Sequence, residues 1–380
     1  MDRFVVVGGG VIGASICYYL TEKGHTNVTL IERYEIACHA SGKAGGFLAR
    51  GWGSGPTEGL HELSFDLIES LAKKLNIASY RKITTLKVSE RKGKNVASWL
   101  NSSKVSTTIM DPETAQVTPR ELTNTLIEAA KTKGLEVIVK TVSGIEFENE
   151  TVTGIKFEDG TTLQCSKCVI SMGAWSTIVG DWIGNPKAFP MDGILSSSLS
   201  FSQGMEKLAT EEPYALFCDD DRNGCHLEVY PRPNNEVYIC GCGGSDHVRG
   251  DRLRVGGDCD RPELIKPNPA RIKAACASFQ NLTDYGKNVE PDVAQACMRP
   301  CPPDGLPYIG KVSDYNGLYM AAGHNCWGIL WSAATGLLVS ELLLDQPLSL
   351  DISSFSPDRY ILKKDNRGRH KNAQSVGEQW

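Results

Sequence analysis

The chain has 380 residues, enough for two or three domain-sized units, and its 41% apolar and 22% charged content is that of an ordinary soluble globular protein. A formal net charge of −5, with no long basic run before the C-terminal tail, excludes an electrostatic footprint for nucleic acid or an anionic membrane surface. The opening MDRFVVVGGG does not read as a secretory signal, so the thirteen cysteines are expected as reduced thiols in a cytoplasmic protein, or one peripheral on an organelle.

In chain order, an apolar strand over residues 3–7 enters the turn Gly8-Gly9-Gly10, followed by a helix over 11–23 and a second strand over 28–32. Residues 65–75 have helical spacing. Thr118-Pro119-Arg120-Glu121 reads as a helix start, with threonine capping, proline in the first turn and glutamate closing a capping box. That helix runs to about residue 133, Gly134 ends it, and 135–139 is expected as a buried strand. Residues 152–157 and 161–163 form a hairpin around Asp159-Gly160, and the strand 168–171 ends in Met172-Gly173-Ala174-Trp175. Cys165 and Cys168 make a lone C-x-x-C with no second pair to complete a zinc site, so no metal is predicted. From 186 to 300 the pattern alternates, as in 226–230 and 237–242, and a helix starts near Asn268-Pro269. Residues 317–324 read as strand then turn, and Gly328 opens a long apolar helix. The apolar region 329–344 is broken by Ser332, Thr335, Gly336, Ser340 and Glu341, which reads as too short and too polar to span a bilayer.

Gly8-x-Gly10-x-x-Gly13 sits where a dinucleotide fingerprint must, between strand and helix. The first glycine permits the turn, the second admits a pyrophosphate, and the third lets helix pack on strand, with the phosphates at the positive helix end. Glu32 ends the second strand, where its carboxylate can accept both ribose hydroxyls. The cofactor set therefore begins with Gly8, Gly10, Val11, Ile12, Gly13, Glu32 and Arg33. The fingerprint alone does not separate NAD from FAD. The hairpin feeding CVISMGAWS resembles the second FAD motif of the glutathione-reductase-like fold, and the helix opening at Gly328 would aim its N-terminus at a flavin. An NAD-dependent dehydrogenase has one glycine motif in its favour and these two signals against it.

The segments VVVGGGVIG, LIER, CHASGKAGGFLA, VTPRELTNTL, VISMGAWS, LEVYPRPNNEVYICG, RPCPPDGLPYIG and GLYMAAGHNCWGI follow one another through nearly all of residues 1–345. Together they resemble the D-amino-acid oxidase family of FAD-dependent oxidoreductases, which includes glycine oxidase, sarcosine oxidase and D-amino-acid dehydrogenase. The CHASGKAGGFLA form is more similar to a fungal and plant branch than to those enzymes. The resemblance implies an α/β fold, a glutathione-reductase-like FAD-binding Rossmann domain (1–80, 113–185 and 301–362) with an inserted α+β substrate domain on an antiparallel sheet (81–112 and 186–300), and a flexible tail at 363–380. It implies that Ser41, Gly42, Lys43, Ala44, Gly45 and Gly46 line the pyrophosphate and flavin, and that Val142 meets adenine through its backbone. Gly173 and Trp175 would lie against the cofactor, and Gly323, Asn325, Trp327, Gly328 and Ile329 would meet the isoalloxazine. Arg299 matches the family's carboxylate-binding arginine. Tyr230, Lys43, His324 and Trp327 complete the candidate catalytic set. Cys297 stands at the offset of the cysteine that holds flavin covalently in sarcosine oxidases, with a packed thiol as the alternative.

The implied activity is oxidation of the C–N bond of an amino acid or secondary amine by hydride transfer to flavin N5, with oxygen or another electron acceptor completing the cycle. The alternative is a flavoprotein with an assembly or trafficking role and little turnover.

Overall fold

The structure is a computed structural model that describes residues 2–361, so the expected tail at 363–380 lies outside the described residues. A six-stranded sheet runs in the order Tyr308–Lys311, Leu318–Ala322, Lys167–Ile170, Phe4–Val7, Val28–Glu32, Glu136–Val139. Every pair is parallel except Tyr308–Lys311 with Leu318–Ala322. Its inner strands, FVVV, KCVI and LYMAA, are near-continuous apolar runs because both faces are covered. The helices Val11–Glu22, Glu58–Leu75, Pro119–Lys131 and Gly328–Leu343 share one core on one side. On the other side lies a three-stranded antiparallel sheet of Val142–Glu148, Thr151–Phe157 and Thr162–Gln164.

A second sheet, of eight strands, takes Thr84–Ser89 and Ser106–Asp111 from early in the chain and the rest from later. Asp192–Phe201 is its spine, pairing along nine consecutive residues with Val293–Cys301, from Asp192↔Cys301 to Ser200↔Val293. Helix Pro269–Leu282, capped by the Asn268 side chain on the Ala270 and Arg271 amides, packs Ala275, Phe279 and Leu282 behind this sheet.

Some expectations need correction. The helix read at 65–75 starts two turns earlier, at Glu58, because Thr57 closes a turn on Ser54 just upstream, Oγ1 accepting from the Ser54 amide at 3.3 Å. No capping box forms at Thr118. Glu121 accepts the Ala78 and Ser79 amides instead, at 2.8 and 3.1 Å, and so pins the preceding loop to the helix. The strand expected as buried at 135–139 is the sheet's edge, with Val139 60% exposed. Strand Val142–Glu148 was not anticipated. By length and hydropathy the helical stretch 325–343 would suffice to cross a membrane, contrary to the reading of its sequence. In the fold it is 72% buried and packs against the helices Val11–Glu22 and Glu58–Leu75, as a core helix.

Candidate active site

A cavity of about 380 Å³ opens at the C-terminal ends of the parallel strands and reaches the inner face of the eight-stranded sheet. At one end is the glycine turn. Gly8 has φ +115°, and a Cβ there would stand 2.4 Å from the Ser171 carbonyl oxygen. A Cβ on Gly13 would meet the Gly8 carbonyl oxygen at 2.1 Å, so Gly13 lets the helix close on the strand without itself lining the cavity. Glu32 fastens the turn. Its Oε2 accepts the Gly9 amide at 2.7 Å, and Oε1 accepts those of Arg33 at 2.7 Å and Tyr34 at 3.1 Å. Burial raises the pKa of this carboxyl, against the lowering effect of the Gly9 and Arg33 amides. Gly8, Gly10, Val11, Ile12, Glu32 and Arg33 line this end, with Val142 across from them. Lys140 and Thr141, beside Val142, also line it and were not read from the sequence.

These residues fit a flavin dinucleotide. Gly173, at φ +57°, lines the cavity, and a Cβ on it would find no protein atom within 4 Å, so this wall is left bare toward the lumen. Gly323, Asn325, Trp327, Gly328 and Ile329 bring the start of the long apolar helix to the same lumen, where its first N–H groups lack partners inside the helix. Trp175 lines it too, its indole held by the Cys259 carbonyl at 3.0 Å.

The segment 38–46 behaves differently from the expectation at two positions. Ser41, Ala44, Gly45 and Gly46 line the cavity, but Gly42 and Lys43 do not. Gly42 lies against the Ala37 carbonyl, which a Cβ would approach to 2.0 Å. Lys43 turns away and donates from Nζ to the Ala296 carbonyl at 3.1 Å, while its own carbonyl accepts from Tyr238 Oη at 2.8 Å. It is a strap between this segment and the Val293–Cys301 strand, not a cavity cation. His39, missed in the sequence, is a second strap, its Nε2 accepting the Met298 amide at 3.0 Å.

His324 is also corrected as a catalytic candidate. Although it belongs to the cavity wall, its ring is buried and bonded to Thr335 Oγ1 at 3.0 Å, and burial holds its pKa down to about 3. It is neutral at physiological pH and unsuited to carry a proton. Trp327 stands edge-on to His61 at 4.7 Å between centroids and lines the cavity. Tyr230 lines it as well, but its hydroxyl donates to the Glu228 carboxylate, and burial with that negative neighbour holds the phenol well above its usual range. Tyr230 is therefore no base. Cys297 faces the same space, its thiol pushed up by burial against the lowering charges of Lys43 and Arg299.

Arg299 lies beside Ile194 in the Asp192–Phe201/Val293–Cys301 pairing and lines the cavity. Its Nη2 donates to Ser245 Oγ at 3.3 Å, and its buried Nε has no hydrogen-bond partner. Among the described residues no carboxylate comes within 4.0 Å of it, so no structural ion pair accounts for the charge.

Residues 3–342 match the sequence profile described as FAD dependent oxidoreductase, DAO. The chain belongs to the DAO family of FAD-dependent oxidoreductases. It is an enzyme, and FAD is its cofactor. Glycine oxidase of Geobacillus kaustophilus is 25% identical over 403 residues, covering 94% of this chain and 97% of that protein. A Schizosaccharomyces pombe protein whose name assigns it no substrate is 28% identical over 390 residues, covering 94% of this chain and 98% of the relative. Among solved structures, the G. kaustophilus glycine oxidase superposes with a TM-score of 0.76 at 23% identity, covering 94% of this chain and 99% of that one. L-proline dehydrogenase from P. horikoshii gives 0.77 at 18% identity, covering 95% and 98%.

Proposed function

We propose that this enzyme oxidises the C–N bond of a carboxylate-bearing substrate, an amino acid or a secondary amine. The observation that carries the reading is the Arg299 guanidinium, presented to the cavity with a buried, unpartnered Nε and no carboxylate neighbour. A buried donor without a partner is costly, and a bidentate carboxylate is the ligand this guanidinium fork best matches. When bound, FAD supplies the hydride acceptor, flavin N5, and is restored by oxygen or another acceptor. Arg299 fixes the carboxylate, and with it the α-carbon. Phe47, Trp52, Phe217 and Tyr230 wall the same cavity with aromatic surface that excludes water. His324 is buried neutral and Tyr230 is committed to Glu228, so neither serves as the base, and the substrate amine reacts in its neutral form.

Anaerobic addition of amino acids and N-methylated amines to the yellow protein tests the reading. Bleaching of the flavin bands by one such class is expected. Arg299→Ala is expected to retain flavin while carboxylate substrates lose about 100-fold or more in kcat/KM, the scale of two charge-assisted hydrogen bonds. A variant that bleaches as readily as the parent would sink the reading.

A further inference from the structure

The cavity also holds a charge of the opposite sign. Glu228 lines it, and its Oε2 accepts from the Tyr230 hydroxyl and from Cys240 Sγ at 3.4 Å. Cys240 is its cross-strand neighbour on one side and Phe217 on the other. Among the described residues no cation forms an ion pair with it. Arg232 pairs with Glu236 at 2.9 Å and Lys87 with Asp219 at 3.3 Å, and among the described residues no Lys, Arg or His nitrogen lies within 4.0 Å of Glu228. Arg299 and Glu228 both act electrostatically on the Cys240 and Cys326 thiols, which places the two charges around one end of the cavity, yet they do not pair with each other. Next to Glu228 the rings of Phe47, Phe217, Tyr230 and Trp52 form a continuous wall, with Phe47 5.1 Å from Phe217, 5.6 Å from Tyr230 and 5.2 Å from Trp52 between centroids.

A carboxylate without an ion-pair partner beside aromatic faces is the chemistry of a cation receptor, because ring quadrupole and carboxylate both attract positive charge. We propose that Glu228 and this wall form a subsite for a cationic nitrogen of the substrate other than the one oxidised. The preferred substrate is then a carboxylate-bearing amine with a second basic group, ammonium, guanidinium or alkylated ammonium, whose carboxylate rests on Arg299 and whose distal cation rests on Glu228. The proposal rests on the amine-oxidation reading above for the reaction, but not for the binding.

Two measurements on the FAD-loaded protein test it. In the first, the visible spectrum of the bound flavin is titrated separately with n-butylguanidinium chloride and sodium propionate. Saturable perturbation by both is expected. Glu228→Gln, which keeps the size of the side chain, should weaken butylguanidinium at least ~10-fold and leave propionate unchanged, and Arg299→Ala should do the reverse. Glu228→Asp, which keeps the charge, should retain most of the cation binding and separates lost charge from lost folding. In the second, kcat/KM for arginine and lysine is compared with that for norleucine of the same configuration. A preference of at least ~10-fold for the cationic chains is expected, collapsing toward unity in Glu228→Gln. Equal butylguanidinium binding in parent and Glu228→Gln, or equal kinetic losses for cationic and neutral chains, overturns the subsite while leaving amine oxidation standing. Glu228-dependent cation binding in a protein whose flavin no amine bleaches supports the subsite and overturns amine oxidation.

Discussion

Arg299 donates from Nη2 to the hydroxyl of Ser245 at 3.3 Å across the eight-stranded sheet, and this contact orients a guanidinium whose buried Nε has no partner. On the proposed reading the serine sets the angle at which the fork meets a carboxylate. Ser245→Ala is therefore expected to raise KM for carboxylate substrates about 5-fold, the effect of one hydrogen bond of about 1 kcal/mol, with kcat and flavin content close to the parent's. Steady-state kinetics with the substrate class that bleaches the flavin check this, and a fall in kcat without a change in KM would count against an orienting role.

Glu32 gathers three amides, of Gly9, Arg33 and Tyr34, and so fixes the shape of the glycine turn, the expected seat of the FAD pyrophosphate. Glu32→Ala leaves those donors unpaired in a partly buried place, at a cost of about 1–3 kcal/mol, which corresponds to about 5- to 150-fold weaker FAD. Fluorescence titration of the apoprotein with FAD measures the change directly, and unchanged affinity would remove Glu32 from the cofactor site.

His39 and His324 are both held near pKa 3, from an ordinary 6.5, primarily by burial. Between those values the unfolded chain binds protons that the folded chain refuses, so the stability associated with the two rings is fully present above pH 6.5 and is lost as pH falls from there toward 3. The expected slope is about 1.4 kcal/mol per pH unit for each ring. Urea unfolding at pH 7.5 and 5.5 should show the loss, and His324→Asn, which cannot titrate, should show a smaller one. Equal losses in parent and variant would mean that the buried ring is not what titrates.

Burial raises the Cys297 thiol, which opposes formation of the thiolate that attachment to a flavin requires. Bound FAD is accordingly expected to be noncovalent. Acid precipitation should leave the yellow colour in the supernatant, and colour retained in the pellet would show a covalent link.

Much of the cofactor half was legible because its signals are local. A strand, three glycines and an acid within the first 32 residues define their own geometry, and the apolar runs of a doubly covered parallel sheet announce themselves. What failed depended on distant partners. Glu121 has the spacing of a capping box, but two amides of the loop before it, at Ala78 and Ser79, compete successfully for its carboxylate. Lys43 read as a residue lining the cofactor and a catalytic candidate because nothing nearby in sequence shows the Ala296 carbonyl that takes its ammonium. Glu228 could have been found, since period-two alternation puts it on the same face as Tyr230, two residues on. Ser245 follows a Gly-Gly pair in irregular chain and carried no such signal.

The straps from Lys43 and His39 both land on the Val293–Cys301 strand, the one that carries Arg299, whereas Glu228 and Phe217 sit on strands those straps do not touch. The scaffold thus separates the strand tied to the cofactor segment from the strands that carry the proposed cation subsite. Replacements at Phe217 and Glu228 are expected to redraw substrate preference while leaving the Lys43 and His39 ties to the Arg299 strand in place. A lineage carrying this arrangement can diversify the molecules it accepts while the shared chemical step stays in place.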